Sequence, residues 1–275
     1  MSQITETLLD DIRSRFAQVD HCPQQGQRVF FENAGGALTL NSVVDTSKAY
    51  AAIPDNQGRD NAGSHELVRV INKAKDDMRV FMNAPGGQFF VGESGTELLF
   101  RVIMNACLGT AADGIVLGST VEHPATRSAC HRWARISGKT HLLVAHDDSR
   151  GLVTAQDYAA QVTPDTRVAT ILHTSPVTGM GMDVPAISAA IRAVSPDCII
   201  IIDGIQHAAH GQGQRRWWAG CGKAEGRRRG VWGVPVGCAK VGGGRSWVTR
   251  VEGRFAMFEG RVFRNNAMCG ASNYT

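Results

Sequence analysis

The sequence predicts an α/β fold, a mostly parallel sheet with helices on both faces. Three observations carry this. Strand-length apolar runs alternate with segments whose apolar residues fall at helical spacing. The runs are continuously apolar, as in strands buried on both sides, rather than alternating with polar residues. Glycine, proline and hydroxyl residues stand where a strand must hand over to a helix.

Each element follows in order. Gln88-Phe89-Phe90-Val91 reads as a strand, leading through a glycine turn into a helix that carries Leu98, Leu99, Val102, Ile103 and Cys107. Residues 114–117 form a second strand, followed by a helix over 124–136. Residues 141–145 are a third strand, followed by a helix over 154–162 with Thr154 as its N-cap. The next strand is 168–172. After Asp183 a helix places Val184, Ile187, Ala190, Ile191 and Val194 on one stripe. Residues 198–202 are a fully apolar strand that runs into Asp203. In such folds ligands bind beyond the carboxyl ends of the strands, so the polar groups placed there are the candidates for chemistry.

Four such groups exist. Gly92-Glu93-Ser94-Gly95-Thr96-Glu97 joins glycines, hydroxyls and a helix N-terminus, a combination that suits a phosphate. It is neither a P-loop nor GxGxxG, and an ordinary glycine turn with a Ser or Thr cap also explains it. Glu122-His123-Pro124 puts a histidine at a strand end, as a stacking group for an aromatic ligand or as a structural or solvated side chain. His173-Thr174-Ser175-Pro176-Val177-Thr178-Gly179 brings small polar groups to the same edge.

The fourth group, Asp203-Gly204-Ile205-Gln206-His207-Ala208-Ala209-His210, is the most informative. An aspartate after four isoleucines is costly to desolvate without a cationic partner, and a pyridinium N–H is such a partner. A plain helix N-cap is the bland reading. Asp203, His207 and His210 as metal ligands lack a distant third cluster, and no metal is expected.

Composition bounds the rest. The chain's 275 residues are 43% hydrophobic and 20% charged, as in an ordinary soluble globular protein, and no apolar run of membrane-spanning length occurs. The acidic, amphipathic N-terminus lacks a signal-peptide pattern. Seven scattered cysteines give neither a disulfide framework nor a paired metal pattern, so the cytoplasm is the expected compartment.

The net charge of +4 hides two halves. Residues 1–210 carry a net of −5, while 211–275 hold 12 basic and 3 acidic residues, a net of +9. That tail has 14 of the 31 glycines, four of the five tryptophans, and no Leu, Ile, Asp or His. Such a shift is what a changed reading frame or an unremoved intron produces. Binding of nucleic acid through Arg and Trp is the weaker alternative, since nothing else in the chain supports it.

No single motif decides the function, but their order does. Glycine-serine-glycine-threonine-glutamate, then glutamate-histidine, then the histidine-threonine-serine segment, then aspartate-glycine-x-glutamine resembles the class V aminotransferase family, which includes cysteine desulfurases. Phe31-Glu32-Asn33-Ala34-Gly35-Gly36 resembles that family's entry strand and small-residue turn. The resemblance covers about residues 28–210. It implies the large domain of a pyridoxal 5′-phosphate (PLP)-dependent transferase, with the C-terminal small domain missing. Residues 1–30 would be a helical arm, 31–210 the incomplete PLP-binding domain and 211–275 a divergent tail.

The resemblance also implies roles. Ser94, Gly95 and Thr96 would hold the PLP phosphate, and His123 would stack on the ring. Asp203 would pair with the ring nitrogen, Gln206 with the ring hydroxyl, and Asn33, Gly35 and Gly36 would line the substrate side. The reaction would act on an amino acid through a Schiff base, by transamination or by cleavage at its alpha or beta carbon, in a homodimer. Pro176 stands where many desulfurases have asparagine, which favours another branch of the family.

The Schiff-base lysine departs from the pattern. About two dozen residues after Asp203 the chain reads Arg227-Arg228-Arg229-Gly230, and arginine cannot replace that lysine. Lys223 and Lys240 are the only lysines after Asp203, and Lys240, flanked by apolar residues, is the better candidate. A non-catalytic fragment that keeps the pocket walls is therefore the alternative. A nucleotide-binding Rossmann-type domain using the Gly92 loop is a more distant one.

Overall fold

Seven strands make the main sheet of this computed structural model, which describes residues 4–53, 58–81, 88–90, 92, 94–210, 231–234 and 249–251. The N-terminal part holds helix α1 (Glu6–Ser14), a two-stranded hairpin of β1 (His21–Cys22) and β2 (Gly26–Gln27), and helices α2 (Asn41–Ala51) and α3 (Ala62–Phe81). Among the described residues of the arm over 1–30, only α1 is helical. Residues 33–35 form the expected turn, in which the Gly35 and Gly36 amides both donate to the Glu32 carbonyl, but residues 28–32 before it form no strand.

The core alternates as the sequence predicts. It runs β3 (Gln88–Phe90), α4 (Gly95–Leu108), β4 (Ile115–Ser119), α5 (Pro124–Ile136), β5 (Thr140–Val144), α6 (Ala155–Ala159), β6 (Thr166–Leu172), α7 (Val184–Val194), β7 (Ile199–Asp203) and α8 (His207–His210). Two strands from the tail, β8 (Val231–Val234) and β9 (Thr249–Val251), complete the sheet in the order β3-β9-β8-β7-β6-β4-β5. Strands β5, β4, β6, β7 and β8 are mutually parallel, and only β9 runs against them. Because β9 is antiparallel to both β8 and β3, β3 points the same way as β7.

Alternation along the strands divides the core into two layers. Val116, Val168 and Ile201 pack with Leu99, Ile103, Ala129, Cys130 and Ala134 of α4 and α5. Leu117, Ala169, Ile171, Ile200 and Ile202 face the other way, against Tyr158 of α6 and Val184, Ile187 and Ile191 of α7. Helix α6 is shorter than the 154–162 expected, yet Thr154 caps it in a reciprocal box with Asp157.

Candidate active site

Strand direction fixes where the polar groups converge. Helix α4 follows β3 and helix α5 follows β4, so both helix N-termini lie at the carboxyl edge of the sheet, where β7 ends in Asp203. Their unpaired amides make that edge partially positive.

Ser94 is the N-cap of α4, its hydroxyl accepting from the Glu97 amide at 3.1 Å. Gly95 is buried and Thr96 exposed. Gly92 is needed in the approach to this turn, because a Cβ there would overlap the Glu97 carboxylate and lie 2.6 Å from Leu98 Cδ2. The glycine-cap reading of this loop is therefore met, and the turn still presents a helix N-terminus to the edge.

His123 is the N-cap of α5. Its Nδ1 accepts from the Ala125 amide at 3.1 Å, which places the ring proton on Nε2 and sets the ring's orientation, with Pro124 in the first turn behind it. The side chain is exposed. One turn further into α5, the buried Thr126 hydroxyl donates to Asp203 Oδ2 at 3.4 Å. That contact ties the start of α5, and with it His123, to the aspartate.

Asp203 is 2% exposed, and its Oδ1 accepts from the Ile205 amide at 3.1 Å. Burial pushes its carboxyl up to about 6, opposed by those two hydrogen bonds. No cation forms a salt bridge with it among the described residues. Gln206 Nε2 donates to the Ala34 carbonyl at 3.0 Å, so the turn holding Asn33, Gly35 and Gly36 is drawn to the same edge from 172 residues away.

The histidine-threonine-serine loop closes the edge on the β6 side. Ser175 Oγ donates to the Val121 carbonyl and accepts from the Val177 and Thr178 amides. The His173 amide donates to the Asp203 carbonyl at 2.9 Å. The His173 ring meets His207 edge-on, and burial with the neighbouring His207 pushes it down to about 2, so it is neutral. Thr174 Oγ1 lies 3.1 Å from His207 Nδ1. Among the described residues no three His, Cys, Asp or Glu side chains gather as a metal site.

Sequence reasoning missed Thr126 and Thr170, and assigned Glu122 no role of its own. The available signal was a polar Thr170 among Val168, Ala169, Ile171 and Leu172 and a glutamate directly before His123. Lys223, the arginines at 227–229 and Lys240 lie outside the described residues. Val234, the end of β8, pairs with Asp203, so the chain leaves β8 at the same edge six residues before Lys240.

Against this geometry, the Aminotransferase class-V family model matches residues 29–215. The chain belongs to the class V aminotransferase family. Members of this family generally use PLP. The match ends close to the change in composition near residue 211.

Two curated relatives of this class V chain are each named "Probable cysteine desulfurase". The one from Mycoplasma genitalium is 24% identical over 66% of this chain and 44% of its own length. The one from Aeropyrum pernix is 24% identical over 73% and 47%. The chain thus spans less than half the length of these relatives. Among solved structures, the cysteine desulfurase CsdA of Escherichia coli, in its S-sulfonic acid form, superposes with a TM-score of 0.65 at 17% identity, covering 88% of this chain and 57% of that one. The apo cysteine desulfurase of Thermococcus onnurineus NA1 gives 0.64 at 16%, covering 73% and 48%. These likenesses establish a shared fold. No helix among the described residues is long and apolar enough to cross a membrane.

Proposed function

We propose that residues 31–210 are the PLP-binding large domain of an enzyme acting on an amino acid, with 1–30 as an arm and 211–275 as a divergent extension. The observation that carries this is Asp203: a buried carboxylate without a salt bridge among the described residues, at the sheet edge that also carries the N-termini of α4 and α5. A phosphate suits the helix ends and a protonated ring nitrogen suits the carboxylate. When bound, PLP supplies an aldehyde that takes up an amino group and a ring that withdraws electrons.

The chain's own residues supply the rest. The amides at Ser94, Gly95 and Thr96, with the Ser94 and Thr96 hydroxyls, hold the phosphate. His123, its ring set by the Ala125 amide, covers one ring face. Asp203 holds the proton on the ring nitrogen. Gln206 has one amide hydrogen on Ala34 and keeps its second, with its oxygen, for the ring hydroxyl. Asn33, Gly35 and Gly36 line the substrate side, and the Lys240 amine is the covalent attachment point. The named relatives point to cysteine as the first amino acid to test, while Pro176 favours another substrate branch. A homodimer in the cytoplasm is part of this proposal.

The arginine triplet at 227–229 favours a second reading, a non-catalytic chain that keeps the pocket walls without the lysine. Both are tested by adding PLP to the purified chain, reducing with borohydride and mapping the pyridoxyl label by mass spectrometry. A visible absorption band with label on Lys240, lost in Lys240→Ala, is the expected result. PLP retained without label on any lysine establishes the second reading. Retention of a nicotinamide nucleotide with no uptake of PLP overturns both.

A further inference from the structure

Behind Asp203 lies a second buried carboxyl that the cofactor reading does not use. Glu122 is 2% exposed and forms no salt bridge among the described residues. Both its oxygens face one group, the Thr170 hydroxyl, at 2.7 and 2.8 Å. A hydroxyl has one proton, so it can donate to only one of those oxygens at full strength. If Glu122 were ionised, that single proton would have to serve two negative oxygens at a buried site where no cation pairs with them among the described residues. If Glu122 is protonated, its carbonyl accepts from Thr170 and its O–H donates back. The remaining Thr170 lone pair accepts from the buried Cys130 thiol at 3.9 Å. The inventory then closes, with one donor and two acceptor positions all in use.

We propose that Glu122 is a positioning residue held as a neutral acid, closed on Thr170, so that Asp203 keeps the negative charge of this buried pair and presents it toward the edge. That the charge serves a cofactor nitrogen rests on the function proposed above; the neutral state of Glu122 does not.

The surroundings agree. Burial, reinforced by the Asp203 carboxylate, pushes Glu122 up to about 8, while the Thr170 hydroxyl, the Ser119 backbone and Arg127 act the other way. Arg127 donates to the Thr120 carbonyl instead of pairing with Glu122. The other titratable neighbours, Cys130 from α5 and Tyr158 from α6, are both held in their neutral forms by burial. Asp203 has the lower value of the two carboxyls: it starts from 3.8 rather than 4.5, and the like charge that raises Glu122 is Asp203 itself. Two carboxylates this deep in one patch repel, and a single proton placed on Glu122 removes the repulsion.

Infrared spectroscopy of the cofactor-free full chain, with the carboxyl carbon of glutamate or of aspartate labelled with carbon-13, tests this directly. The glutamate-labelled wild type should show a protonated-acid C=O band at pH 7, lost as pH rises through about 8. Glu122→Gln should abolish that band. It should also leave the aspartate band's loss near pH 6 in place, because glutamine is neutral like the acid it replaces. Absence of the glutamate band at pH 7 in the wild type overturns the proposal whether or not any variant folds. A displacement of the Asp203 transition by more than about one pH unit in Glu122→Gln also overturns it. PLP titrated into Glu122→Gln should bind within about twofold of wild type at pH 7, and a tenfold loss counts against the positioning role. If neither protein takes up PLP, the cofactor reading fails and the infrared result still decides the state of Glu122.

Discussion

Asp203 and Glu122 share one consequence at the scale of single residues. Their folded values, about 6 and about 8, lie above the ordinary carboxyl values of 3.8 and 4.5. A raised acid binds its proton more tightly folded than unfolded, so its contribution is complete below the ordinary value and is lost as pH rises through the folded one. Below pH 6.5 the buried His141 and His173, lowered from 6.5 to about 4 and about 2, act the other way, so the carboxyl effect stands alone only above that value. The cofactor-free chain should therefore lose about 2 kcal/mol of stability between about pH 6.5 and pH 8 as Glu122 ionises, since each tenfold gain in proton affinity on folding is worth about 1.4 kcal/mol. Urea unfolding at pH 6.5 and pH 8.5 measures this, and Glu122→Gln should flatten the curve between them. Equal midpoints at the two values would contradict a buried, protonated Glu122. Asp203→Asn keeps the shape and removes the charge. It should weaken PLP binding at least about tenfold, read by absorbance titration, whereas unchanged affinity would remove Asp203 from the ring nitrogen.

At the scale of elements, the caps and periodicities that set each helix are local and therefore readable. Thr154 closes α6 through the Asp157 amide and carboxylate, and Pro124 opens α5. Thr154→Ala should lower stability by about 1 kcal/mol, seen as a lower urea midpoint, and an unchanged midpoint would mean that the box contributes nothing. The strands from β3 to β7, and α4, α5 and α7 between them, were legible because apolar spacing and punctuation agree there. Helices α2 and α3 were not. Neither buries a large apolar face: α2 has no buried residue, and Ser64 is the one buried residue of α3. The short α6 shows the usual limit on boundaries, since after Ala159 the chain turns so that Val162 is buried outside the helix.

For the whole molecule, the tail matters more to the sheet than its composition suggests. Strand β8 pairs with β7, and β9 joins β8 to β3, so residues 231–234 and 249–251 stand between the α4 entry strand and the strand that carries Asp203. A chain ending at residue 210 leaves the edge of β7 open and β3 without its partner. Its urea midpoint should fall, with more aggregation on refolding, whereas a tail without structural weight would leave both unchanged. Local pattern was enough for the α/β class, the order of polar groups along the chain, and the choice of His123, Asp203 and the Ser94 loop as the candidates. Which atoms become partners was not readable from pattern. Thr126 reaches Asp203 across 77 residues, Thr170 reaches Glu122 across 48, and Gln206 reaches Ala34 across 172. Periodicity records which face a side chain occupies within its own element, and only the packing of distant elements settles which buried polar atoms become partners and which carboxyl keeps its proton.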